Sequence, residues 1–191
     1  VLPSPHYLST VDVGRDTATW QIGPTVKNQY EYTINSTDDI RKALDEAERE
    51  GYALNHYNSA FYLRGTAGNP ISVDDSLANL YVVAYGPAPV WVTGEGEVTV
   101  FAEESAVVYA IEGSSVDAYY SATVYAYDRA EVVVQMEAAV YAASDNVYVE
   151  AWGDSKVYLP AEGLAGSRAE VRVNGNAKII RGIGKPTEAL N

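Results

Sequence analysis

The sequence predicts a mainly β protein: a thin, two-sided β-solenoid with about 16 residues per coil, preceded by a small α/β cap with one amphipathic helix and an extended N-terminal arm. Three observations predict it. Val or Ile recurs at one slot of an eight-residue repeat: Val82, Val90, Val100, Val108, Val116, Val124, Val132, Val140, Val149, Val157, Val171 and Ile179. A fixed short period is the signature of stacked repeats. Around each of these residues, small or apolar side chains alternate with mixed ones, the period of a strand with one buried face. Every second octad carries an aromatic at the same outward slot, namely Trp91, Tyr109, Tyr125, Tyr141 and Tyr158.

Ser121–Asp128, S-A-T-V-Y-A-Y-D, shows the octad most clearly. Slots two, four and six are Ala122, Val124 and Ala126, and slots three, five and seven are Thr123, Tyr125 and Tyr127. Slots eight and one hold turn formers or charged residues, such as Gly86, Gly94, Asp128, Asn146, Gly153 and Asp154. Alanine on both flanks of valine requires the facing sheets to approach closer than the ~10 Å of ordinary sandwiches. The aromatic at alternate octads fixes two strands per coil. A three-strand coil would stack Tyr109, Val133 and Tyr158 and lose that regularity.

Taken in chain order, residues 1–27 contain two early prolines and no helical or sustained alternating pattern, and read as an extended arm, with Trp20 and Ile22 available for docking. Residues 28–78 read as the cap. Tyr30–Ile34 alternates like a strand. Ser36 is a hydroxyl N-cap, with acids in the first turn at Asp38 and Asp39. Ile40, Ala43, Leu44 and Ala47 repeat at helical spacing, and Gly51 supplies a left-handed stop, so the helix is expected over 37–50. Tyr52–Leu63 reads as one or two further strands, and Gly65–Asp75 as a loop. The octads then fill 79–183, broken at Glu95-Gly96, at Asp145 and at Glu162–Ser167, and 184–191 reads as a polar tail. Open solenoid ends need caps. The helix is placed to plug the first coil, and Arg172, Lys178 and Arg181 bring charge onto the last rows, with Arg181 at an inward slot.

Rows such as S-A-T-V-Y-A-Y-D, S-A-V-V-Y-A and N-V-Y-V-E-A-W-G resemble octapeptide-repeat proteins encoded by bacteriophages and prophages, in which S-A-x-V-x-A-x-D/G runs occur in tandem. The resemblance covers about 79–161. It implies a virion protein, located on the particle surface, because phage particles use β-solenoids in spikes, fibres and capsid decoration.

Composition narrows the remaining classes. A net charge of -13 argues against nucleic acid or an anionic membrane as partner. No run of ~18 apolar residues suggests membrane insertion. The start of the chain does not read as a signal peptide. With no cysteine there is neither a disulfide framework nor a thiolate metal site. Sixteen Tyr against 2 Phe suits a large, stiff, half-wet surface. His6 and His56 lie fifty residues apart, and neither a metal-binding spacing, a phosphate loop nor a nucleophile elbow occurs. Asp117 and Glu150 share an outward column with Glu131 nearby, at about the upper separation for an inverting glycosidase pair. Acids on a solvated face of so acidic a chain need no catalytic cause, so no catalytic, metal or cofactor residue is expected.

The expected function is therefore a non-enzymatic structural or interaction protein of a bacteriophage virion, in a capsid-decoration or tail-associated role. Its partners would be other virion proteins or copies of itself. The expected interface is Trp91, Tyr109, Tyr125, Tyr127, Tyr141 and Tyr158. The alternative is a carbohydrate- or receptor-binding module that uses the same aromatics against a cell-surface glycan.

Overall fold

Parallel strands stack in two sheets that wind as a flattened solenoid. The computed structural model describes residues 7–13, 16–22, 30–95 and 98–183. Its strands are β1 (Tyr7–Val13), β2 (Asp16–Ile22), β3 (Tyr30–Ile34), β4 (Ser59–Leu63), β5 (Ile71–Val73), β6 (Tyr81–Ala84), β7 (Val90–Val92), β8 (Thr99–Ala102) and β9 (Val107–Ala110). They continue as β10 (Ser115–Ala118), β11 (Thr123–Ala126), β12 (Glu131–Val134), β13 (Ala139–Ala142), β14 (Tyr148–Ala151), β15 (Lys156–Pro160), β16 (Glu170–Val173) and β17 (Lys178–Ile183). One helix, α1, spans Thr37–Glu50. The first sheet runs β16-β14-β12-β10-β8-β6-β4-β3 and the second β17-β15-β13-β11-β9-β7-β5. Alternate strands enter alternate sheets, so two strands make one turn, and about seven turns average ~18 residues each.

Register follows the valine slot. Phe61, Val82, Val100, Val116, Val132, Val149 and Val171 form one column. Ile71, Val90, Val108, Val124, Val140, Val157 and Ile179 form the other. The step is 16 residues in the middle turns, as between Val100 and Val116, and lengthens where the sequence breaks its octads. With Asp145 included it is 17, from Val132 to Val149. Across Glu162–Ser167 it is 22, from Val149 to Val171. Each insertion sits at a turn, outside the ladder, where it disturbs no inward side chain. Ala102, Ala118, Ala110, Ala126 and Ala142 flank the valines and are buried, which leaves a narrow core of short side chains.

The corners have a feature the composition hides. At slot eight the backbone turns left-handed: Glu104, Glu112, Tyr120, Asp128 and Met136 all have φ of 52–61°. Each is the first corner residue of a four-residue turn. The turns close through Ala106 N–H to Glu103 O, Ser114 to Ile111, Ala122 to Tyr119, Ala130 to Tyr127 and Ala138 to Gln135, at 3.0–3.2 Å. Positive φ at the first corner alone is the pattern of a type II′ turn, which favours glycine. Gly94, Gly153 and Gly175 occupy the same slot in other rows.

The helix has the expected bounds, and Ile40, Ala43 and Ala47 are buried. Its termination is also as expected. Gly51, at φ 73°, lets its N–H reach Glu48 O at 3.1 Å and the Tyr52 N–H reach Ala47 O at 2.8 Å. Its start differs. Ser36 is the N-cap but makes no side-chain cap bond to the helix. Asp39 instead accepts the Asn35 N–H at 3.2 Å, and Thr37 Oγ1 accepts the Ser72 N–H at 2.9 Å. The second bond ties the helix to β5. The helix packs against β3 and β5, the edge strands of the two sheets, so it plugs the first turn as the sequence suggested.

Four details differ from these expectations. The α/β cap of 28–78 is not a separate layer, because β3, β4 and β5 are already rungs of the solenoid, with Phe61 paired to Val82 and Ile71 to Val90. Large Phe61 and Ile71 fill the valine slot there, in one core with Ile40 and Ala43, so the octad rule could not find them. Gly65–Asp75 is not all loop, since Ile71–Val73 pairs with β7. Tyr52–Asn58 is not strand, because Asn55 and Asn58 bond the local backbone instead. Asn55 Oδ1 accepts the Tyr57 N–H, Asn58 Oδ1 accepts the Asn55 N–H, and Asn58 Nδ2 donates to Ala53 O. In the arm, β1 and β2 pair antiparallel rather than running as one extended segment. The docking side chains Trp20 and Ile22, the residues 1–6 with His6, and the 184–191 tail lie outside the described residues.

Candidate functional site

The outward slot of the second sheet builds a pile of rings. β7, β9, β11, β13 and β15 each place one aromatic there, in strict register: Trp91 on Tyr109, Tyr109 on Tyr125, Tyr125 on Tyr141, Tyr141 on Tyr158. Ring centroids are 4.8, 5.0, 5.1 and 4.4 Å apart, with interplanar angles of 24, 12, 18 and 10°. The spacing is the ~4.8 Å rise between hydrogen-bonded strands. Identical slots on successive turns must therefore stack, and flat rings do so face to face. The column ends at Ser72 on one side and at Ile180 on the other.

Tyr109 is buried, and the other four rings are partly exposed. Val107 and Thr123 flank the pile on one side, and Ile111, Tyr127 and Ala143 on the other. Tyr127 lies on the same face as the expected interface residues but two positions past Tyr125, beside the pile rather than in it. Burial pushes the Tyr127 hydroxyl above its ordinary pKa, with Tyr125 adding to the shift. Burial likewise raises Tyr141, with Tyr158 and Tyr125 as smaller causes. All six expected residues thus share one face. Five are in direct sequence along it.

The other sheet carries the mixed column Tyr62, Val83, Phe101, Asp117, Val133, Glu150 and Arg172. Asp117 and Glu150 are two turns apart with Val133 between them, as the spacing suggested. Burial raises the pKa of Asp117 above the ordinary carboxylate value. Asp117 sits between Phe101 and Val133, which offer no polar partner. Among the described residues no three His, Cys, Asp or Glu side chains gather as a metal site. No described helix is long and apolar enough to cross a membrane.

A second aromatic group on this sheet was not singled out from the sequence. Near the helix end, Tyr81 packs on Phe101 at 5.0 Å and Tyr62 meets Tyr85 edge-on at 6.1 Å. The Arg64 guanidinium lies over the Tyr85 ring at 4.4 Å, a cation–π contact. These residues occupy different slots, and Tyr62 precedes the recognisable octads, so no periodic signal marks them.

The fold and this face define a two-sided parallel β-solenoid with a stacked aromatic spine. Comparison with protein-family models, with curated proteins and with solved structures yields no match to this chain.

Proposed function

We propose that this chain is a non-enzymatic structural protein of a bacteriophage virion, in a capsid-decoration or tail-associated role, which docks through the ring-bearing face of its solenoid. The supporting observation is the unbroken pile from Trp91 to Tyr158. Its rings are already satisfied face to face, so they present a stiff strip of ring edges and hydroxyls, bordered by Val107, Ile111, Thr123 and Tyr127. Such a strip loses little side-chain entropy when another protein covers it. Other virion proteins are the proposed partners, and the resemblance of rows 79–161 to phage octapeptide repeats is what points to a virion.

The glycan-binding reading is favoured by the row of phenolic hydroxyls, and disfavoured by the same spacing. Sugars stack on aromatic faces, and rings 4.4–5.1 Å apart leave no room between them. Only the outer faces of the terminal rings, Trp91 beside Ser72 and Tyr158 beside Ile180, would serve. The test is incorporation into particles. Chain carrying Thr123→Glu and Tyr127→Glu, charges added at the border of the strip, is expected to fold but to be absent from purified particles that hold the unaltered chain. Unchanged incorporation, or a native chain found free of any particle, overturns the proposal. Glycan-array binding that is lost on Trp91→Ala supports the second reading instead.

A further inference from the structure

The outward face of the first sheet has cations at its two ends and none in its middle. Arg64, one turn before Tyr85, lies over that ring at 4.4 Å, and Arg172 lies over the Tyr148 ring at 5.3 Å. Between them the outward positions of β6 to β14 carry aromatics and the acids Glu103, Asp117, Glu131 and Glu150, with no Lys or Arg. The basic residue nearest to Asp117 in the chain, Arg129, stands on a corner and is taken by Glu95 at 2.8 Å. At the centre, β8 and the residue after it present Phe101 and Glu103, and β10 and the residue after it present Asp117 and Tyr119. Register sets Asp117 beside Phe101, and the Tyr119 N–H bond to Ala102 O at 2.8 Å sets Tyr119 beside Glu103. The four backbone positions make a rectangle of roughly 6.6 by 4.8 Å. Its rings stand on one diagonal and its carboxylates on the other.

All four residues are half-buried. The carboxylates of Asp117 and Glu103 and the Tyr119 hydroxyl make no side-chain hydrogen bond or ion pair among the described residues. Burial raises the pKa of Tyr119, and Asp117, Tyr81 and Glu103 add to the rise, so both carboxylates are within electrostatic reach of that side chain. A half-buried carboxylate between Phe101 and Val133 is costly while it stands alone, and an opposite charge relieves the cost. We infer that this quartet receives an arginine side chain of a partner protein. A guanidinium is flat, so it lies on the Tyr119 ring as Arg64 lies on Tyr85. Its fork of N–H donors then reaches Asp117 along the strand and Glu103 across it. An ammonium is a compact point charge without that flat fork, which makes arginine the better fit. Charge selects the partner: a chain of net charge -13, with four acids on this face, draws a basic segment.

No ring of the pile takes part, and the two faces belong to different sheets, so this site and the docking face stand or fall separately. The test is a titration of the isotopically labelled full chain with acetyl-Gly-Arg-Gly-amide at physiological salt, followed by amide nuclear magnetic resonance. Saturable shifts confined to the amides around Phe101–Glu103 and Asp117–Tyr119 are expected, with half-saturation in the millimolar range. Acetyl-Gly-Lys-Gly-amide should bind about threefold or more weakly. Asp117→Asn and Tyr119→Leu should each weaken the arginine peptide about threefold or more. Glu131→Gln removes an equal charge one turn away and should leave binding within about twofold. This control separates the quartet from the general attraction of an acidic chain for a cation. Shifts spread over every acidic surface, an equal response to the two peptides, or a Glu131→Gln effect as large as that of Asp117→Asn overturns the inference. So does the absence of saturable shifts at the quartet, including the case in which the chain's own residues fill it. If one variant fails to fold, the other variant and the lysine peptide decide.

Discussion

Replacing Glu104 by glycine should stabilise this protein, although it removes a side chain and shortens nothing else. Glu104 turns a corner at φ 52°. An L-residue held left-handed costs roughly 1–2 kcal/mol through the approach of Cβ to the carbonyl oxygen. Glycine has no such penalty, but gives up about 0.5–1 kcal/mol of extra freedom in the unfolded chain. The Glu104 side chain is exposed, and no hydrogen bond or ion pair of its carboxylate occurs among the described residues, so little else is lost. Its carbonyl, which accepts the Ser121 N–H at 3.0 Å and the Ser121 hydroxyl at 2.7 Å, is kept. The balance is a gain of about 0.5–1 kcal/mol, or roughly 1–4 °C in Tm for a chain of this size. Glu104→Ala is the control, because it deletes the same charge and retains the Cβ. Thermal and urea unfolding should rank Glu104→Gly above Glu104→Ala. The mirror experiment is Gly153→Ala. Gly153 has φ 68°, and an added Cβ would lie 3.3 Å from Met136 N on the turn below, so a loss of about 1 kcal/mol or more is expected. Glu104→Gly falling below Glu104→Ala would refute the corner argument.

Three further outcomes are expected. Ser114 and Ser155 stand in the buried alanine slot, and neither hydroxyl has a partner among the described residues. Ser114→Ala and Ser155→Ala should each raise stability by about 1–2 kcal/mol in chemical denaturation, and a loss would mean that the hydroxyls are satisfied. Tyr125→Ala removes two ring contacts, at 5.0 and 5.1 Å, from the middle of the pile. It should cost about 2–3 kcal/mol and reduce the near-ultraviolet circular dichroism while the far-ultraviolet spectrum persists. Burial raises the pKa of Asp117, so the folded state holds its proton more tightly than the unfolded chain does. Its contribution is therefore most favourable below the unfolded value of 3.8 and is lost as pH rises through the folded pKa. Asp117→Asn should be more stable than the parent at pH 7, with the difference vanishing near pH 3. A constant difference across that range would contradict the assignment.

The solenoid was legible because its signal is repeated. Val82 to Ile179 mark one slot twelve times, and alternate aromatics settle the number of strands per turn before any contact is known. The ring pile was legible for the same reason, since a column of identical slots on parallel strands has no freedom except to stack. What the sequence hid depends on single contacts. Ile71–Val73 is only three residues long and becomes a strand through β7. Tyr52–Asn58 lies in a stretch that reads as one or two strands, but two asparagines take its backbone. The left-handed corners were hidden too, because Glu104, Tyr120 and Met136 stand where glycine would have announced them. The tight register of the neighbouring turns imposes a conformation that these residues do not prefer. That Val173 and Ile179 are far more exposed than Ala151 and Val157 one turn earlier is likewise visible only in the structure.

Regular stacking of turns is the claim on which every reading of the faces and ends depends, and one distance tests it. Spin labels on cysteines placed at Arg64 and Trp152 report it cleanly, since the chain has no cysteine of its own. These positions follow consecutive rungs of one column through Tyr85, Glu103, Tyr119 and Gln135. Five steps of ~4.8 Å predict about 24 Å between the labelled backbones, with a narrow distribution. A broad distribution, or a mean well beyond that span, would contradict the stack.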